Sequence, residues 1–200
     1  GSALTAVTGL LTAFAISQAV SFFVIPSQSM DPTFQVGDVV LVEKVSPRLP
    51  NAQYNADDVV LFHPPSPLLD IVQSTGGRIS SRDLFVKRIA ATPGDQVVLP
   101  ENSGDILVNN KDASTNTRDR HMCKVRDSAQ DLMKRYLKPQ TTNVPPDEVF
   151  VLGDCADVSI DSRVWGTLPT RDIVGRPVMR IWPLDDRWGR IHDVVDSWDK

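Results

Sequence analysis

Ile25-Pro26-Ser27-Gln28-Ser29-Met30-Asp31-Pro32-Thr33-Phe34 stands at the join between an uncharged apolar run and a longer, more polar remainder. Proline fixes its own φ and biases the residue before it away from helix. Pro26 and Pro32 therefore hold a short non-helical segment, and any helix built from the apolar run must end before it. Ser27 and Ser29 lie inside that bracket. Two readings are open at this point: a rigid turn in which serine suits the geometry, or a turn that presents Ser29 as a nucleophile.

Upstream, Ala3 to Ile25 contains no charged residue. A bilayer core needs roughly 20 apolar residues at 1.5 Å each, and the run is that long, although Thr5, Thr8, Thr12, Ser17, Gln18 and Ser21 dilute it. The expectation is a membrane-anchor helix over residues 1–25. A buried core helix is one alternative; a cleaved signal peptide is another, weakened by the lack of a basic segment ahead of the run. Asp31 and Asp38 precede Lys44, the first basic residue, which favours a non-cytoplasmic side for the rest of the chain.

Downstream the chain reads as mainly β. Short β-branched runs bounded by turn residues mark strands: Val39–Val42 after Gly37-Asp38, Asp57–His63 before Pro64-Pro65, Asp83–Ala91, Gln96–Leu99 after Pro93-Gly94-Asp95, Glu148–Leu152 and Asp172–Trp182. Asp105–Val108 with the turn Asn109-Asn110-Lys111-Asp112 reads as half of a hairpin. Pro47–Asn55 and Ser66–Arg82 are expected to be loops, the second carrying Gly76-Gly77 and clustered serines. The charged stretch 114–143 is expected to be a surface insertion with a short helix over Ser128–Leu137. The domain plan is thus an anchor over 1–25, a β-rich catalytic domain over 26–193 and a tail over 194–200.

Composition narrows the function. In 200 residues, 41% hydrophobic and 23% charged is ordinary globular usage. A net charge of −4 offers no basic footprint for nucleic acid. Cys123 and Cys155 lack zinc-site spacing, so no metal or cofactor is expected. They are read as one disulfide or as two buried thiols.

A serine hydroxyl needs an adjacent base to act as a nucleophile. His63, His121 and His192 fall in a proline turn, the charged stretch and the tail. A lysine serves if desolvation lowers its pKa from about 10.4 towards neutrality. Lys87, among Phe85, Val86 and Ile89, is the lysine whose neighbours can do that.

Taken together, three separated segments resemble the boxes of type I signal peptidases, the membrane-anchored Ser/Lys proteases. They are Pro26-Ser27-Gln28-Ser29-Met30-Asp31-Pro32-Thr33 with Gly37-Asp38; Lys87-Arg88 with Pro93-Gly94-Asp95; and Gly153-Asp154 through Ser159, Asp161-Ser162-Arg163 and Trp165-Gly166. The boxes run in order from about residue 25 to 183. The resemblance implies a signal-peptidase-type β fold with Ser29 as nucleophile and Lys87 as general base. It implies an oxyanion hole from the Ser29 N–H and the Ser27 hydroxyl, and a Ser159 hydroxyl that orients the lysine. Asp161 and Arg163 correspond to a supporting ion pair, and Arg88 to a similar support. Ile25, Pro26, Met30 and Val86 match the substrate groove, which implies cleavage after small residues in an Ala-x-Ala pattern.

The implied partners are preproteins with cleavable signal peptides and membrane lipid. Phe34–Ser46 and Pro145–Asp154 look most like the cyanobacterial and plastid branch, favouring a thylakoid membrane with the catalytic domain on the lumen face over a bacterial plasma membrane. Cys155, Ala156 and Val158 depart from the family pattern, which usually has Asn at the first and third and Arg at the second. Two other readings are a self-cleaving Ser/Lys repressor, which would need a helix-turn-helix ahead of the serines, and a membrane-tethered β binding module without chemistry. Ser197-Trp198-Asp199-Lys200 has Ser-x-x-Lys spacing, but at the extreme end of the chain it is read as chance.

Overall fold

The apolar run divides into two elements in the computed structural model, which describes residues 2–101, 105–112, 123, 137–185 and 187–191. Helix α1 spans Ser2–Ala19. At Val20 the β-branched and aromatic sequence Val-Ser-Phe-Phe-Val takes over as strand β1, Val20–Val24, since such side chains favour a pleated surface over a helix. The expected anchor helix over residues 1–25 is therefore corrected: among the described residues no helix is long and apolar enough to cross a membrane. The hydroxyl residues dilute it, and 18 residues reach only about 27 Å.

The end of α1 is tied to the remainder. Lys44 donates its backbone N–H to the Ala19 carbonyl at 2.7 Å, and its Nζ to the Ser17 carbonyl at 2.7 Å. Arg48 Nη1 donates to the Gln18 carbonyl at 3.1 Å. Three otherwise orphaned carbonyls are thus satisfied, and two cations sit at the negative end of the helix dipole.

The main sheet contains β1, β2 (Val39–Glu43), β3 (Val59–Phe62), β4 (Phe85–Ala91), β9 (Glu148–Leu152), β10 (Leu168–Pro169), β11 (Ile173–Trp182) and β12 (Gly189–Arg190). Its order is β1-β2-β11-β3-β4-β9-β10, with β12 on β11. Strands β5 (Gln96–Leu99), β6 (Leu107–Val108), β7 (Lys111–Asp112) and β8 (Gln140–Asn143) form a second sheet in the order β7-β6-β5-β8. The molecule is mainly β, with few helices. Gln140–Asn143, at the end of the stretch read as a surface insertion, pairs with β5 from Gln96↔Asn143 to Leu99↔Gln140. The expected helix over 128–137, apart from Leu137, lies outside the described residues, as do residues 113–122, 124–127 and the tail.

Ser66–Arg82 is not wholly loop, because α2 occupies Ser66–Ser74. Leu68, Ile71 and Val72 recur at helical spacing and pack on the cluster of Phe62, Ile89, Val151 and Trp165. The serines and Gly76-Gly77 that suggested a loop form the ends of this helix. A second buried cluster joins Ile25, Met30 and Phe34 to Val40, Val42, Leu61 and Val86. A third lies under the smaller sheet, around Val97, Leu99, Phe150 and Leu152. Each fully buried aliphatic side chain contributes about 1.5–3 kcal/mol.

The segment from Ile25 to Asp38 is a closed loop standing on the first cluster. Ile25 N–H donates to the Asp38 carbonyl at 2.8 Å, and Gly37 N–H returns to the Ile25 carbonyl at 2.9 Å. A short 3-10 turn, Gln28–Met30, forms its tip.

Gly175, in β11, lies close against β2. A Cβ there would collide with Val42 Cγ1 and lie 2.9 Å from the Glu43 carbonyl oxygen. Gly175→Ala is expected to destabilise the fold by about 1–3 kcal/mol, read as a lower urea midpoint at unchanged slope. An unchanged midpoint would show that the two strands are not in such close contact.

Candidate active site

Lys87 is carried by β4 between β3 and β9, with Val60 opposite it on β3. It is 3% exposed, yet its Nζ lies 2.6 Å from Ser29 Oγ. Burial pushes the Lys87 ammonium down to about 8; the charges of Asp161 and Asp154 pull the other way, and Arg163 adds to the depression. A charged Lys87 donates to the serine oxygen. Once neutral, the same pair of atoms can carry the opposite bond, from the serine O–H to the amine lone pair.

Ser29 is half-buried at the tip of its loop, and Ser27 Oγ stands 3.3 Å from its Oγ. Ser27 is extended, with φ −144° and ψ 162°. Ile25, Met30 and Val86 are brought together as one buried apolar floor, and Pro26 is exposed beside them.

The loop after β9 supports the Ser29 backbone from behind. Cys155 N–H donates to the Ser29 carbonyl at 3.1 Å. A Cβ on Gly153 would run into both the Ser29 carbonyl and Ser159 Oγ, so only glycine allows this approach. Cys155 is joined to Cys123 by a disulfide, with Cα atoms 5.6 Å apart. Ser159 is fully buried, and its Oγ makes no hydrogen bond among the described residues. The bond from Ser159 to the lysine that the resemblance implies is therefore not formed. The hydroxyl is instead packed against Gly153, on the same side as the Ser29 backbone.

Two bidentate ion pairs flank the contact between Lys87 and Ser29. Arg163 Nε and Nη2 donate to the Asp161 carboxylate at 2.8 and 2.9 Å, both side chains being buried. Asp161 also accepts the Gly153 N–H at 3.0 Å and caps helix α3, Ser162–Trp165, through the Arg163 N–H. Arg163 Nη2 further donates to the Ala156 and Ser159 carbonyls. Burial alone would lower the Arg163 guanidinium, but the charge and hydrogen bonds of Asp161 outweigh it and raise it.

Arg88 donates to Asp154 at 2.9 and 2.7 Å, to the Asp57 carbonyl at 3.0 Å and to Thr33 Oγ1 at 3.1 Å, and Thr33 Oγ1 donates to Asp154 at 2.5 Å. Sequence reasoning assigned no role to Asp154 or Thr33. Both stood within the quoted boxes, and a buried arginine beside Lys87 required a carboxylate somewhere.

His63 lies at the end of β3, with Nδ1 3.2 Å from the Asp83 carbonyl, and has no bond to Ser29. His121 and His192 are outside the described residues. No group of metal-ligating side chains occurs among the described residues. A cavity of about 490 Å³ between Pro47, Tyr54, Glu148 and Arg171 lies at the other end of β9 and contributes nothing to the dyad.

The arrangement can do one kind of chemistry well: it activates a hydroxyl with a desolvated amine. A comparison with protein families finds the model described as "Signal peptidase, peptidase S26" matching residues 2–182. The chain is 35% identical over 193 residues to a probable signal peptidase I-1 of Synechocystis sp., covering 91% of this chain and 83% of that protein. It is 37% identical over 183 residues to thylakoidal processing peptidase 1, chloroplastic, of Arabidopsis thaliana, covering 91% of this chain. It spans about half of that relative, 47%.

Two predictions follow from the geometry. If neutral Lys87 is the base, kcat/KM should climb with pH through about 8 and level above it, because the neutral fraction grows as pH rises. Lys87→Arg should be inactive, since a guanidinium stays protonated; a histidine-like profile lost in a His63 variant would overturn the assignment. Reduction should lower kcat/KM reversibly, because it releases the loop whose Cys155 N–H holds the Ser29 carbonyl. Full activity of protein shown by thiol labelling to be reduced would refute this.

Proposed function

This chain belongs to the signal peptidase family, peptidase S26, and on that premise we propose that it removes signal peptides from translocated preproteins with a Ser29/Lys87 dyad. The observation that carries the proposal is the 2.6 Å contact between a buried amine and the Ser29 hydroxyl. A binding module without chemistry gives no reason to bury an amine there.

Each step uses groups of this chain. Neutral Lys87 takes the Ser29 proton as Oγ attacks the scissile carbonyl. The Ser29 N–H and Ser27 hydroxyl receive the developing oxyanion, and each such donor contributes about 3–4 kcal/mol in the transition state. Lys87 then protonates the departing amine and later activates the water that hydrolyses the acyl-enzyme. Arg163 and Arg88 engage Asp161 and Asp154, so that these carboxylates do not restore a full ammonium on Lys87.

The exposed apolar surface supports work against lipid. On one side of the sheet the register aligns Phe22 with Leu41 and Met179, and Val24 with Val39 and Trp182. Phe22 is 69% exposed and Trp182 57%, and Leu184, Trp188 and, on α1, Leu10, Leu11 and Phe14 are exposed as well. Uncovered apolar area of this extent marks an interaction surface. We place it on a bilayer, in keeping with the thylakoidal and cyanobacterial relatives. The thylakoid lumen face is the favoured site, and a bacterial plasma membrane the alternative.

Substrate choice follows from the floor of Ile25, Met30 and Val86. These side chains are already packed in the core, so a substrate pocket above them would be shallow and would reject bulk by steric clash. A precursor with Ala at the first and third positions before the cut should be processed, and Phe at the first should block cleavage. Ser29→Ala serves as the inactive control. Efficient cutting of the Phe substrate would sink the pocket assignment, and cutting by Ser29→Ala would sink the dyad.

A further inference from the structure

Asp38 closes the nucleophile loop at its base, and four polar contacts converge on its carboxylate and carbonyl. Its carbonyl accepts the Ile25 N–H, and its Oδ2 accepts the Gln35 N–H at 2.9 Å. Arg180 Nη1 donates to Oδ1 at 3.3 Å, and Arg187 Nη1 to Oδ2 at 3.3 Å. The side chains of Asp38 and Arg180 are 2% and 1% exposed, so this ion pair is inside the protein.

Neither arginine stands alone. Arg180 Nε donates to the Arg187 carbonyl at 2.8 Å, and its Nη2 is paired closely with Asp185. Asp185 also accepts the Arg187 backbone N–H at 3.0 Å and Arg187 Nη2 at 3.1 Å. The turn following β11 is thereby wound around Arg180 and clipped to the loop that ends in Ser29. The field of Arg187 also reaches Asp31, two residues from the nucleophile, whose carboxyl burial raises and Arg187 partly lowers again.

We propose that Arg187, together with Arg180, is a positioning residue for the reaction: by gripping Asp38 it sets the base of the 25–38 loop and so the distance from Ser29 Oγ to Lys87. The inference rests on reading Ser29 as the nucleophile. The buried Val40 and Val42 hold β2 and, with Ile25, Met30 and Phe34, the underside of the loop, but apolar packing has no direction and leaves the polar base of the loop to be set by hydrogen bonds and ion pairs. The loop is closed by Asp38, and among the described residues Arg180 and Arg187 are the groups outside the loop that bond its carboxylate. A displacement of about 1 Å at a reacting atom costs up to roughly 100-fold in rate.

Arg180 is too deeply buried to be a clean probe, so the test uses Arg187. Arg187→Gln in the full chain, assayed on a short precursor peptide, should lower kcat about 10- to 100-fold, with KM within about twofold and the pH midpoint unmoved. Arg187→Lys, which keeps the charge, should recover part of the loss. Arg176→Gln, on the same strand but directed to the Gln53 carbonyl and Asp58, should leave kcat unchanged.

Wild-type kcat in Arg187→Gln would overturn the proposal. So would an equal fall in Arg176→Gln, or a fall matched by lost folded protein in thermal unfolding. Cleavage by Ser29→Ala, measured beside them, would instead remove the dyad reading on which the proposal stands.

Discussion

An amine without a carboxylate of its own is buried against a hydroxyl, and the surrounding structure is arranged to tolerate it. Desolvation disfavours the charged form of Lys87, and a nearby free carboxylate would cancel the effect by pairing with it. Asp161 and Asp154 are near enough to pull the ammonium back up. Each is engaged bidentately by its own arginine, Arg163 or Arg88. The two ion pairs therefore hold the loops in place and divide the carboxylate charge between partners. With its ammonium held at about 8, Lys87 is about half neutral near that pH, as the proposed role of base requires.

These pairs also explain how segments far apart in the chain reach one another. Asp161 binds the Gly153 N–H and Arg163, while Asp154 binds Arg88 of β4 and Thr33 of the nucleophile loop. β9 runs antiparallel to β4, Arg88 lying opposite Leu152. The loop after β9 thus begins beside Lys87 and passes under Ser29, where Gly153 lets the backbones touch and Cys155 N–H meets the Ser29 carbonyl. Breaking one partner of such a buried pair leaves an uncompensated charge, which is far more damaging than losing the contact alone.

The apolar surface and the site share the strand β2. Val40 and Val42 point inward and are fully buried, while Val39 and Leu41 face outward with Phe22, Val24, Met179 and Trp182. The strand alternation that builds the core under the nucleophile also produces the exposed face. The exposed apolar face and the proposed site are then two sides of one sheet.

Much of this was legible in the residues. Val39–Val42, Asp57–His63, Asp83–Ala91, Gln96–Leu99 and Glu148–Leu152 each announced a strand through β-branched runs and turn residues at their ends. Ser29 and Lys87 could be singled out because one sits between prolines and the other between apolar neighbours. The sequence by itself could not say that Val20–Val24 leaves the helix, because an uncharged run carries no period that separates helix from strand; only pairing with β2 settles it. It hid α2 because serines and glycines at its ends masked the Leu68, Ile71 and Val72 spacing, which needs the core to give it a direction. Nor did it show the partners of Arg88 and Arg180, or that Ser159 Oγ has no hydrogen-bond partner among the described residues. Those depend on distances between residues as much as 142 positions apart, and only the packed sheet sets such distances.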